Sequence, residues 1–167
     1  MEHCLTLIKD IVSAYPTNDI FIIGKGPSID LINQKVFEKS LVIAINDSDR
    51  IYPADITIFN SDWVKNSIEN EGVNSSLYIS CTDFQASHYS EIAKSIKRPY
   101  IPLNNDNADL MIQRLLGKEI VIEDVLFLSA LQIARQIALL RKIQQNVYMV
   151  GFDFSGYDGQ SEKIKKN

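Results

Sequence analysis

The sequence predicts an α/β fold, Rossmann-like, with a mostly parallel sheet and helices on both faces. Three observations carry this. Short, nearly continuous apolar runs at 19–23 (DIFII), 41–45 (LVIAI), 55–59 (DITIF) and 147–150 (VYMV) read as strands buried on both sides. Between them lie stretches with helical spacing, and strands alternating with helices favour parallel pairing. Glycine or small polar residues follow each run, and in a parallel sheet those positions share the edge where ligands bind.

Residues 4–14 place Leu5, Ile8, Ile11 and Val12 on one helical face, and Tyr15-Pro16 ends that helix. The strand at 19–23 runs into Gly24-Lys25-Gly26-Pro27-Ser28, where Ser28 is placed to cap a helix reaching about residue 38. The second strand ends at Asn46-Asp47. The third ends at Asn60-Ser61-Asp62, with Ser61 or Asp62 capping a helix from Trp63. A fourth strand is predicted at 77–80, a helix at 86–96 and a short strand at Tyr100-Ile101. A loop at 104–107 precedes a short helix over 109–116. Residues 123–142 carry the strongest helix signal, with an acidic start and a basic end that suit the helix dipole. The last strand, 147–150, closes on Gly151-Phe152-Asp153-Phe154, and the polar tail at 161–167 is expected to fray.

At ~100–200 residues per domain, 167 residues make one Rossmann-like domain, placed at 1–160. With 46% hydrophobic and 23% charged residues, the chain is not an intrinsically disordered one. No apolar run approaches the ~20 residues of a membrane span, so no transmembrane segment is expected. Met1-Glu2-His3-Cys4 lacks the features of a signal peptide, which points to the cytoplasm and to Cys4 and Cys81 as free thiols. The 17 basic and 21 acidic residues give a formal net charge of -4, which argues against nucleic acid as a partner. The two histidines, His3 and His88, leave no His-rich metal site and few candidates for a general base.

The GKGPS segment has a direct physical reading. Gly24 and Gly26 permit positive φ and close backbone approach, and Pro27 suits a first helical turn. Ser28 sets a hydroxyl beside unsatisfied helical amides, and Lys25 adds positive charge. Together they make an anion site at a helix N-terminus. The same residues also describe a tight strand-to-helix turn with no ligand. The third glycine of GxGxxG is absent and no Gly-Lys-Ser/Thr follows, which disfavours ordinary dinucleotide and P-loop binding.

Asn46 and Asn60 can hydrogen-bond a base, ribose or sugar, or can form turns and caps. Asp47 can hold a ribose hydroxyl. Asp47, Asp49, Asp62 and Asp153 read either as Mg²⁺ ligands or as solvated loop carboxylates. Asp153 can equally cap backbone amides. Phe59, Trp63 and Tyr157 read as core packing ahead of base stacking. His88 reads as a surface or capping histidine, and both cysteines as buried and inert. No catalytic residue is assigned.

Taken in order, GKGPS after the first strand, Asn46 after the second, Asn60 after the third and the helix at 123–142 leading into VYMVGFDF resemble a known group. It is the bacterial CMP-sialic acid-dependent sialyltransferases of glycosyltransferase family 42. More loosely, the chain is similar to MptE-like proteins (6-hydroxymethylpterin pyrophosphokinase-like), which share a GxGPS loop. The resemblance covers most of residues 18–155. It implies a cytidine nucleotide or CMP-sugar as ligand, with residues 24–28 near the nucleotide and phosphate. Asn46 and Asn60 would contact ribose, phosphate or sugar. Gly151, Asp153 and Phe154 would border the site, and Tyr157 would reach a phosphate. Family 42 transfer needs no metal cofactor.

Three departures stand out. Lys25 replaces the family's asparagine or alanine, and Ile122-Glu123-Asp124 replaces a Ser/Thr-rich helix start. The family's catalytic histidine lies in a lid after the last motif, and no histidine follows His88 in this sequence. Three readings follow. The first is a glycosyltransferase-like nucleotide-sugar domain, active only if completed by a further segment. The second is a non-catalytic module that binds a nucleotide or sugar, fused to or assisting a surface-polysaccharide enzyme; a fusion partner or a homo-oligomer is an expected partner of the chain in any of the three. The third is a Mg²⁺-dependent pyrophosphokinase-like enzyme. In all three the crevice is expected at 24–28, 46–47, 60–62 and 151–157.

Overall fold

The computed structural model describes residues 2–15 and 17–153. In chain order these form α1 (Glu2–Val12), β1 (Asp19–Ile23), β2 (Leu41–Ile45), β3 (Ala54–Phe59), α2 (Asp62–Glu71), β4 (Ser75–Ser80) and β5 (Lys94–Lys97). Then follow β6 (Tyr100–Ile101), α3 (Met111–Leu115), β7 (Ile122–Glu123), α4 (Leu126–Arg141) and β8 (Asn146–Val150). Among the described residues, six strands form one sheet in the order β5-β4-β3-β2-β1-β8, and every neighbouring pair is parallel. The fold is α/β and Rossmann-like. β6 and β7 pair apart from this sheet. No helix of the described residues is long and apolar enough to cross a membrane.

The apolar runs become strands because both sheet faces are covered. On one face, Ile8 and Val12 of α1 and Ala130, Ile133 and Ile137 of α4 pack on Ile20, Ile22, Ile43, Ile56 and Ile58. On the other, α2 lays Val64 and Ile68 against Phe59 and Tyr78. Short 3-10 turns cover the neighbouring strands there, setting Ile29, Phe37 and Ile51 on Ile23, Val42 and Ala44. Full burial of one such side chain contributes about 1.5–3 kcal/mol, so the central strands tolerate no polar slip of register. β8 differs. It is an edge strand, and Val147, Tyr148 and Met149 are all exposed.

Three expected elements differ from the structure. No helix runs from Ser28 to about residue 38. Two 3-10 turns, Pro27–Leu31 and Gln34–Phe37, stand there instead. The Asn33 side chain accepts from Lys35 N–H and starts the second turn, so the chain breaks rather than continuing as one helix. Residues 86–96 are not a helix. They form one 3-10 turn, Ala86–His88, and lead into edge strand β5. Phe84 packs on Phe59, Tyr78 and Tyr89, and the Ser95 hydroxyl accepts from Ala86 N–H, so sheet pairing overrides local helical spacing. The long helix begins at Leu126, because Ile122 and Glu123 pair with Tyr100 and Ile101. Glu123 therefore does not serve the helix dipole. It is buried against Arg114, at 2.5 and 2.9 Å.

Asp49 is 1% exposed, in the crossover between β2 and β3. Its Oδ2 accepts from the Tyr78 hydroxyl at 2.8 Å and lies 3.3 Å from the Ser75 hydroxyl. Burial pushes its carboxyl from 3.8 up to about 6. The bonds from Tyr78 and Ser75 oppose that rise, and the nearby Asp47 adds to it. Between those two values the folded state holds a proton that the unfolded chain releases. Asp49 therefore favours folding most at the acid end of this window, and that contribution is lost as pH rises through the folded value. At about 1.4 kcal/mol per pH unit, the loss is of order 1–3 kcal/mol. Asp49→Asn should remove it. Thermal unfolding between about pH 4.5 and 7.5 should show the variant gaining a few degrees on the wild type as pH rises. A melting difference that stays constant with pH would count against this assignment.

Candidate functional site

β1 lies between β2 and β8 in the sheet, and the chain leaves β1 toward β2. The strand order therefore reverses at β1 and β8, whose carboxyl ends mark the expected ligand crevice. Here the two loops touch. Gly24 N–H donates to Val150 O and Gly26 N–H to Gly151 O, both at 2.8 Å. A Cβ on Gly24 would sit 2.5 Å from Gly151 O, and one on Gly151 (φ 74°) 2.6 Å from Gly24 O. Gly26 is extended, with φ -67° and ψ 155°. Gly24 and Gly26 permit positive φ but do not adopt it here. The close approach is real, and the group that approaches is the chain's own backbone.

The anion at the loop is internal. Asp153 Oδ2 accepts from Ser28 N–H at 3.1 Å and from the Ser28 hydroxyl at 3.0 Å. A Cβ on Gly26 would lie 1.9 Å from that oxygen. Ser28 is therefore engaged with a carboxylate rather than free to cap a helix. The turn beginning at Pro27 is too short to carry a helix dipole. Asp153 acts as the cap of this turn from 125 positions along the chain.

Beside the loop lies a chain of charges. Lys25 Nζ sits 2.9 Å from Asp47 Oδ1 and 4.3 Å from the centre of the Trp63 ring. Asp47 is buried, and its Oδ2 lies 3.3 Å from Arg50 Nη1. Arg50 Nε is 2.6 Å from Glu71 Oε2 at the end of α2. With Arg50 already on Asp47, Lys25 can turn to another anion without stranding a buried carboxylate. Trp63 is 51% exposed, contrary to its reading as core, whereas Phe59 is fully buried as expected.

Asn46 sits in the left-handed region, φ 57°, with its N–H on Ile58 O at 2.9 Å. It is a turn residue, a conformation asparagine tolerates. Asn60 donates to Asp124 O at 3.4 Å and accepts from the Ser61 hydroxyl at 2.8 Å. Ser61 stands at the N-cap of α2 without making a side-chain cap bond, and Asp62 is exposed in the first turn. Tyr100 donates to Asp124 Oδ1 at 2.8 Å. Burial pushes the Cys81 thiol up, so it is a poor nucleophile. The four aspartates considered for Mg²⁺ are not brought together. Asp47 faces Lys25 and Arg50, Asp49 faces Tyr78, Asp153 faces Ser28, and Asp62 is exposed. Phe154 and Tyr157 lie outside the described residues.

Sequence reasoning passed over two residues that shape this edge. The Ser48 hydroxyl is fully buried, accepts from Ile45 N–H and lies 2.8 Å from both Ile23 O and Ile45 O, joining two strand ends. Arg50 links Asp47 to α2. Neither carries a motif. The available signal was their place just past a strand end.

No family model, curated protein or solved structure matches the chain.

Gly24→Ala should destabilise the fold, because the methyl meets backbone that cannot swing aside. The expected cost is about 2 kcal/mol, or roughly 4–8 °C in melting temperature. A wild-type melting temperature in that variant would show that the two loops are not in contact.

Proposed function

We propose that the carboxyl edge of the sheet binds a nucleotide or nucleotide sugar, with CMP-linked sugars first among candidates, and that Trp63 and Lys25 receive it. The observation that supports this is a half-exposed tryptophan with a lysine ammonium over its ring, at the edge where α/β sheets hold ligands. A nucleobase has the flat face that such a ring stacks on, and a phosphate is the anion that Lys25 can take up. The phosphate does not enter the GKGPS turn in this reading, because Asp153 fills that position.

The reading is one of binding. The thiol at this edge is held protonated by burial, and Asp47 and Asp153 are committed to partners within the chain. A binding module assisting a glycosyltransferase, or a transferase domain completed by a further segment, fits equally. Two free cysteines suit the cytoplasmic setting that goes with such ligands.

Trp63 is the single tryptophan of the chain, so its fluorescence reports on this edge directly. Cytidine compounds (CMP, CDP and CMP-sialic acid) should quench it saturably without Mg²⁺, ahead of UDP-sugars, GTP and ATP. Trp63→Leu, followed by thermal shift, should weaken binding about tenfold, the size of one base-stacking contact. Lys25→Met should weaken CMP but leave cytidine unchanged. A response only with Mg²⁺ would favour the pyrophosphokinase-like reading. No quenching and no stabilisation by any of these ligands would overturn nucleotide binding.

A further inference from the structure

At the opposite edge of the sheet, the amino ends of β2, β3 and β4 surround a cavity of about 550 Å³. That is the size of a small-molecule site. Its polar wall includes Tyr15, Tyr52, Asp55, Glu38 and Ser76, and the described residues lining it include no lysine, arginine or histidine. Asp55 is half-buried and held in place. One carboxylate oxygen accepts from the Tyr15 hydroxyl and the other from Val42 N–H at 2.8 Å. Each oxygen keeps acceptor capacity beyond those bonds. The Tyr52 ring is braced on Phe37, with centroids 4.8 Å apart. Its hydroxyl is pushed up by burial and by the charges of Glu38 and Asp55, so both carboxylates act at this ring.

Two further features make the cavity negative. α1 ends just before Tyr15, and α2 ends just before Val73 and Asn74, which line the cavity. These helices of 11 and 10 residues turn their carbonyl ends, with negative partial charge, to this edge. Behind the Ser75 wall lies buried Asp49, whose Oδ1 has no hydrogen-bond partner among the described residues. Arg141, which is held against Tyr15, is committed to the carbonyl oxygens of Tyr15 and Thr17.

We propose that this cavity is a binding site for an organic amine, with a di- or polyamine as the best fit. One ammonium would sit on Asp55 between the tyrosines, and a second within reach of Glu38. A metal ion fits less well. Hard divalent cations gather several oxygen ligands closely, and no group of three or more His, Cys, Asp or Glu among the described residues is placed to do so. An ammonium on a carbon chain gains from a phenol face and a carboxylate together, and its chain fills volume a bare ion leaves empty.

The probes are spermidine and putrescine, titrated into the full chain by calorimetry and thermal unfolding at constant ionic strength. Saturable binding that MgCl₂ does not reproduce is expected. It should weaken about fivefold in Glu38→Gln, an exposed position, and about tenfold in Tyr52→Leu. Asp55→Asn should abolish it. If that variant does not fold, the other two carry the test. Absence of binding, an equal response to Mg²⁺, or unchanged affinity in both Glu38→Gln and Tyr52→Leu would overturn the proposal. The Trp63 signal at the other edge separates this outcome from that of nucleotide binding.

Discussion

The backbone contact between Gly24 and Gly151 is the constraint on which the carboxyl edge depends. Parallel pairing of β1 with β8 brings the two loops that follow them so close that neither position has room for a Cβ. Once that register is set, Gly26 N–H reaches Gly151 O, and Asp153, two residues on, reaches Ser28. The turn of GKGPS is then fixed in direction, and Lys25 projects toward Asp47 and Trp63. A charged relay of Asp47, Arg50 and Glu71 ties the same edge to α2, whose first turn carries Trp63. One backbone contact thus orients the loop, the cation and the aromatic platform together.

The carboxylates at the two edges of the sheet are partnered differently, Asp47 by two cations and Asp55 by a hydroxyl and a backbone N–H. In a parallel sheet the strands share a direction, so the helices between them end at the amino edge. Carbonyl ends and the carboxylates of Asp55 and Glu38 collect there. At the other edge, Lys25 and Arg50 converge on Asp47.

The covering of the sheet is uneven. Two long helices pack on one face, while the other relies on α2 and on 3-10 turns, which bury single side chains such as Ile29, Phe37 and Ile51. β5, at one edge, begins and ends with lysine, a common guard against edge-to-edge pairing. β8, at the other, has no charged residue.

By itself the sequence determined the strands β1, β2, β3 and β8, the helices α1 and α2 and the parallel class, because burial on both faces demands unbroken apolar runs. That demand is local and legible. It also placed Gly24, Lys25, Asp47, Asn60 and Asp153 at one edge, since parallel strands put all their carboxyl ends together. Only the tertiary structure decided what those residues face. That Asp153 occupies the Ser28 amide, that Gly24 is required by Gly151, and that Asp47 joins Lys25 to Arg50 all follow from contacts across long stretches of chain. The exposure of Trp63 and the conversion of 86–96 to a turn and an edge strand arise in the same way. Periodicity reports which side of an element is apolar, whereas partners are set by how the elements meet.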